Sequence, residues 1–322
     1  MRRLVPISLT LLALATTGVQ FTAATFSNGS ANPANALAAS SDWFAPTVAA
    51  SVVAKTAGGV AGTIKQGGAY YAYAQVTDSG GPASGIASVK ANLSSITASQ
   101  TAATLTAGSY SVGGTTYNYR SASITAKNPL AAGSVPYTVT PTDVAANTVI
   151  QTGFSVVVDN TAPTATDVQT TNAAGGIAGR PEAGDTLTLT FSKPIDPNSV
   201  LGAWSGADTS VVVRITNGGT GNDVLTIRNA ANAAQLPLGS IALGRIDYVT
   251  TTVNFGATAT ASQMRQVGNT IVLTLGTPSA AGTTAAAAAP IVWTPAAGAT
   301  DAAGNATSTA AVTETGAADL DF

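Results

Sequence analysis

The 322-residue chain contains no cysteine and no histidine. Without cysteine there is no disulfide, no thiolate nucleophile and no thiolate ligand for zinc or an iron–sulfur centre. Without histidine the commonest general base is gone, and with it the Ser–His dyad and histidine-ligated zinc. Glutamate is nearly absent as well. Glu182 and Glu314 are the only two, far apart in the sequence, whereas glycoside hydrolysis needs two carboxylates at a fixed separation. Five lysines are present, but no S-x-x-K motif accompanies them. No nucleophile–base set can be assembled, so the chain reads as a non-enzyme, with no catalytic and no cofactor-binding residue to nominate. Charged residues make up only 9% of the chain, which argues against nucleic acid, a partner that demands clustered Lys and Arg.

What the chain does have is Thr, Ser, Gly and Ala, with Val, Leu and Ile as the larger core formers. The start is distinct. Arg2 and Arg3 precede an apolar run over residues 4–19, followed by small residues, the pattern of a secretory signal peptide. The run is short for a membrane helix, which takes about 20 apolar residues, so no span is expected in the mature chain. We assign residues 1–24 to the signal peptide and 25–41 to a linker, with cleavage after Ala24 or within residues 34–39. The protein is therefore expected to be secreted or extracellular and associated with the cell surface.

The rest reads as strands and turns with no helical period of any length. Phe154, Val156 and Val158 alternate along one stretch. Asp159, Asn160, Thr161, Ala162 and Pro163 then stop it, since Asp and Asn favour turns and Pro cannot donate to a ladder. Leu187, Leu189 and Phe191 alternate with threonines in the clearest strand pattern. Lys193-Pro194-Ile195-Asp196-Pro197 ends it. A proline inside the strand around Val135, Tyr137 and Val139 suggests a sheet edge. Residues 229–236 read as one helical turn, Val211, Val213 and Ile215 as a strand, and residues 205–221 and 276–290 as long loops. A turn written T-D-x-A-x-N occurs twice, at 142–147 and 300–305, each copy before a last apolar stretch. The repeat implies two modules that close in the same way. The expected fold is all-β, two tandem sandwiches at residues 42–160 and 161–316, the second with enlarged loops, and a short acidic tail at 317–322.

Several of these motifs resemble a known family. D-N-T-A-P-T after a last strand and D-x-A-G-N before one are similar to the joints and turns of bacterial immunoglobulin-like (Ig-like) repeats in surface proteins. The first turn departs from that pattern at Ala146, where the family usually has glycine. The run G-D-T-L-T-L-T-F-S-K-P-I-D resembles the opening of the Ig-like class found in S-layer and other cell-surface proteins. The resemblance implies an adhesive or structural spacer role, with a cell-surface or matrix protein or a glycan as partner. Residues 22–40 also resemble the post-signal stretch of camelysin-type biofilm fibre proteins. A fibre subunit polymerising through that segment, and a carbohydrate-binding accessory, stay open as alternatives.

Calcium is the one ion the residue types suit, since it prefers carboxylate, amide and carbonyl oxygens. Asp143 and Asp159 should lie at opposite ends of one last strand, so one ion cannot use both. The joint therefore offers Asp159 and Asn160 with Asp301 and Asn305, or Asp159 with Asp78 if the loop after residue 77 lies at the same pole. The rival expectation is that Asp and Asn here do no more than hydrogen-bond turns.

Overall fold

The computed structural model describes residues 42–56, 60–80, 82–318 and 320. The signal-peptide and linker assignments, the segment resembling fibre proteins and part of the acidic tail lie outside the described residues. Among the described residues no helix is long and apolar enough to cross a membrane.

The chain is all-β and forms two sheets. The first is built from β1 (Thr47–Lys55), β2 (Thr63–Ile64), β3 (Ala69–Thr77), β4 (Ile86–Asn92), β5 (Ala103–Val112), β6 (Thr115–Ser121), β7 (Ile124–Thr125), β8 (Gly133–Asp143) and β9 (Gln151–Val158). Its order is β1-β3-β6-β5-β4-β8-β9-β2, with β7 on β3. The short β2 runs parallel to β9, and Ala54 bridges to Ala61 just before β2, so the sheet curls back on itself as a sandwich or barrel does. Alternation selects the buried face. Tyr70, Ala72, Ala74 and Val76 of β3 face one core, together with Val89, Leu93, Val139, Val156 and Val158. Tyr73 faces the other way, into a smaller cluster with Val112 and Tyr117.

The second sheet comprises β10 (Ala165–Thr171), β11 (Thr186–Phe191), β12 (Thr209–Thr216), β13 (Val224–Asn229), β14 (Gln235–Ala242), β15 (Val253–Phe255), β16 (Ser262–Val267), β17 (Thr270–Thr274), β18 (Val292–Thr294) and β19 (Val312–Thr313). Its order is β10-β11-β17-β16-β12-β13-β14-β18-β19, with β15 on β12. In β11 the apolar members Leu187, Leu189 and Phe191 are buried, and the threonines between them are half-buried. Trp293 of β18 is fully buried edge-on to Phe191, ring centroids 4.9 Å apart, and its indole N–H donates to the Leu238 carbonyl at 2.7 Å. The single helical turn, α1 (Pro197–Val200), follows Asp196, whose carboxylate accepts from the Asn198 N–H. Pro at the first helical position suits this start, where an N–H has no partner in any case.

Two local expectations change. Residues 229–236 form no helix. They make the tight connection between β13 and β14, where Asn229 takes the N–H groups of Ala233 and Ala234 on its side chain. Pro136 lies on β8, an interior strand rather than an edge. The pairing of β8 with β4 begins only at Thr138, so at Pro136 a single neighbour, β9, is present and no bond on the β4 side is forfeited. The strand expected at Val211–Ile215 is present as β12, between β13 and β16, and the rest of residues 205–221 is loop.

Candidate functional site

Both copies of the repeated turn fold alike. Asp301 accepts the Asn305 N–H on Oδ1 at 2.8 Å and the Asn305 amide on Oδ2 at 3.0 Å. Asp143 accepts the same two groups of Asn147 at 2.7 and 2.8 Å. The backbones match as well: Asp301 N–H to Asn305 O and Asp143 N–H to Asn147 O are both 3.1 Å. The residue before the asparagine has positive φ in each copy, +91° at Gly304 and +70° at Ala146. That conformation is natural for glycine and strained for alanine, so the first copy of the turn carries a backbone cost that the second avoids.

The second copy meets the connection between the sheets. Asn305 donates its amide to the Asp159 carbonyl at 2.8 Å, so Asp159, Asp301 and Asn305 come together as the sequence suggests. Asn160 does not join them. Its Oδ1 accepts the Gln66 N–H and its Nδ2 donates to the Leu130 carbonyl, both at 2.8 Å, pinning loops of the first sheet instead.

The space between the two carboxylates is filled by the ammonium of Lys193. It lies 2.6 Å from Asp159 Oδ2 and 3.1 Å from Asp301 Oδ2, and donates to the Thr161 carbonyl at 2.7 Å. All three of its protons are thereby spent. The cation at the joint is thus a side chain, where calcium on Asp159, Asn160, Asp301 and Asn305 was expected. Lys193 stands in the S-K-P step right after a strand, and its position beside two later aspartates is a property of the fold that spacing does not reveal.

Partial burial on its own pushes the Asp159 carboxyl up. The Lys193 hydrogen bond, the Thr161 N–H and the ammonium charge outweigh it and hold the group below its ordinary value. Partial burial likewise pulls the Lys193 ammonium down, but the bonds to Asp159 and Asp301 outweigh it and hold the group above the usual lysine value. The contribution of Asp159 to stability is present above the unfolded carboxylate value of about 4 and fades as pH falls through the lower folded value. That of Lys193 is present below about pH 10.4 and fades as pH rises through its higher folded value. Stability from this pair should therefore be flat between about pH 5 and pH 9. Carbon-detected NMR titration of the Asp159 carboxyl should give a midpoint below 3.8, moving upward in Lys193→Met. Identical midpoints in both proteins would remove the ion pair from the account.

A second lysine crosses the boundary from the other side. Lys55, at the end of β1, lies 2.6 Å from Asp196 Oδ2 and donates to the Asp301 carbonyl at 3.0 Å. Its side chain is 9% exposed and that of Asp196 3%. Asp301 is therefore held by both lysines, through its carboxylate by Lys193 and through its carbonyl by Lys55.

The chain matches no protein-family model and no curated protein sequence.

The remaining polar groups mostly organise turns. Asp223 is fully buried and accepts the N–H groups of Gly218, Tyr248 and Val249. A surface cleft beside the 173–183 loop carries Arg180 and Glu182, which pair with each other, and Glu182 also takes the Ile177 N–H at 2.7 Å. Glu314 lies elsewhere, buried against the Ile291 N–H at 2.7 Å. Of the tryptophans, Trp293 and Trp204 are buried, while Trp43 is 74% exposed. The Arg120 guanidinium sits over the rings of Tyr71 and Tyr110, 4.2 and 4.3 Å from their centroids, and so covers a face of each that a sugar would need.

Proposed function

We propose that the chain is a non-enzymatic, secreted protein of the bacterial cell surface, built from two Ig-like modules and working as an adhesive or structural spacer. The observation that carries this reading is the boundary between the two sheets. There Lys55, Lys193, Asp159, Asp196, Asp301 and Asn305 are spent on one another and on backbone, leaving no acid or base poised for chemistry. Groups used this way fix the relation between neighbouring modules, which is what a spacer requires. The partner would be a surface or matrix protein or a glycan.

The reading is tested by protease shaving of intact cells that produce the protein, followed by mass spectrometry. Peptides of the chain should be released from the outside, and the mature N-terminus should fall within residues 25–41. A protected chain that retains Met1 would overturn it.

A further inference from the structure

The contact between the two sheets has two sides. The second sheet contributes the residues ahead of β10 and the T-D-x-A-x-N turn: Asn160 meets the Gln66 N–H and the Leu130 carbonyl, and Asp301 offers its carbonyl to Lys55. The first sheet contributes the β1–β3 connection, which carries Gln66, and the end of β1, which carries Lys55. Each side has a counterpart elsewhere in the chain that this joint does not use.

The counterpart of the entering side is the start of the first sheet. Asp42-Trp-Phe-Ala-Pro-Thr47 leads into β1 as Asp159-Asn-Thr-Ala-Pro-Thr164 leads into β10, so Trp43 holds the place of Asn160. Asn147 donates its amide to the Asp42 carbonyl at 3.1 Å, as Asn305 does to that of Asp159. The turn at 142–147 thus holds the place of the turn at 300–305. Here the outward side chains are large and apolar: Trp43 is 74%, Phe44 63% and Val144 67% exposed. Hydrogen bonds gather them at one pole. The Asp42 carboxylate accepts the N–H groups of Phe44 and Ser84 at 3.0 and 2.8 Å, and Ser84 Oγ accepts that of Ala145 at 3.2 Å. Clustered exposed apolar side chains of this kind mark an interaction surface.

The counterpart of the receiving side is the end of the second sheet away from the joint. β10 leads away from the joint and β11 returns to it, so their connection, residues 172–185, corresponds to the β1–β3 connection that meets Asn160. β17 also runs away from the joint, with Thr270 opposite Thr190 and Thr274 opposite Thr186, so the residues after it reach the same pole. These loops frame an open cleft of about 490 Å³ with Ala173, Ala174, Pro181, Pro278 and Ala281 in its walls, and Arg180 beside them. That volume accommodates an indole, the walls are apolar, and arginine favours an aromatic face.

We propose that the chain associates head to tail with a second copy of itself, Trp43 and Phe44 of one copy entering the cleft of the next. The occupant is another copy because the chain carries, at its two ends, both halves of a contact it already makes once inside. Head and tail are different surfaces, so the contact is heterologous and growth is open-ended. The inference does not rest on the proposed surface role. A pole-to-pole contact is small, under roughly 1,200 Å², so its dissociation constant is expected on the order of 10⁻⁵–10⁻⁴ M.

Sedimentation velocity of the full chain from about 1 to about 500 µM should show an average mass that rises with concentration past the dimer. Trp43→Ser, at an exposed position, should keep the melting temperature and stay monomeric. Ala281→Glu, which sets a charged side chain in the cleft, should do the same. The two variants retain opposite ends, so their equimolar mixture should form dimers and stop there. A wild type that stays monomeric over the whole range would overturn the proposal, as would assembly that persists in Trp43→Ser or a mixture without dimers. Wild-type assembly that stops at two and ignores Ala281→Glu would show head-to-head pairing and overturn the cleft as the receiving surface.

Discussion

Lys55→Met is expected to destabilise the chain by about 3–5 kcal/mol, read as a lower midpoint in chemical denaturation. Methionine keeps most of the apolar stem but removes the charge that faces Asp196 at 2.6 Å. The Asp196 carboxylate is then left buried without its counter-ion, and the Asp301 carbonyl loses a donor at 3.0 Å. Taking one partner from a buried pair costs far more than the pair is worth, because the other charge stays desolvated. The double variant Lys55→Met with Asp196→Asn should recover most of the loss. Asparagine keeps an oxygen for the Asn198 N–H and brings no buried charge. A loss below about 1 kcal/mol in the single variant would show that the pair behaves as a solvated surface contact.

Trp293→Ala should cost about 5 kcal/mol, the upper end for an aromatic truncation. The ring is fully buried against Phe191, in a strand paired on one side with β14 and on the other with β19. Its removal leaves a void and also deprives the buried Leu238 carbonyl of its indole donor, two penalties that add. The damage should be local. The core around Trp293 and the core around Tyr70 share no residue, so hydrogen exchange read by segment should lose protection over β10–β19 and keep it over β1–β9. Equal loss over both would show that the two sheets unfold as one unit.

The all-β class was legible because the signals are local. The T-L-T-L-T-F stretch alternates, and β11 buries its Leu187, Leu189 and Phe191. D-N-T-A-P cannot continue a strand, and β9 ends at Val158. The T-D-x-A-x-N turn closes on its own Asp and Asn, so its shape needs nothing distant. The site was legible only to the extent that it is local too. Asp301 with Asn305 is a four-residue matter, but Lys193 reaches Asp159 and Asp301 from another loop, and Lys55 reaches Asp196 from another sheet. No spacing rule announces such meetings. Asn160 misled for the opposite reason. It neighbours Asp159 in sequence, yet its amide points into the first sheet, toward Gln66 and Leu130. The parallel β2–β9 contact, two residues long, was beyond any periodic signal.

That short contact has a further consequence. The chain leaves the first sheet at Val158, whose strand is bonded to β8 on one side and β2 on the other. A pull on Asp159 away from the sheet runs along β9, while the backbone bonds holding β9 lie across it. They are therefore strained together, in shear, and do not open one after another as a zipper does. The two residues of β2 place rungs on the second flank of β9 at its last positions, Val157 and Val158, where the pull is applied. Peeling from that end must break bonds on both flanks at once. A strand of two residues, which gives the hydrophobic core only Ile64, thus sets the direction in which the first sheet best resists being drawn out.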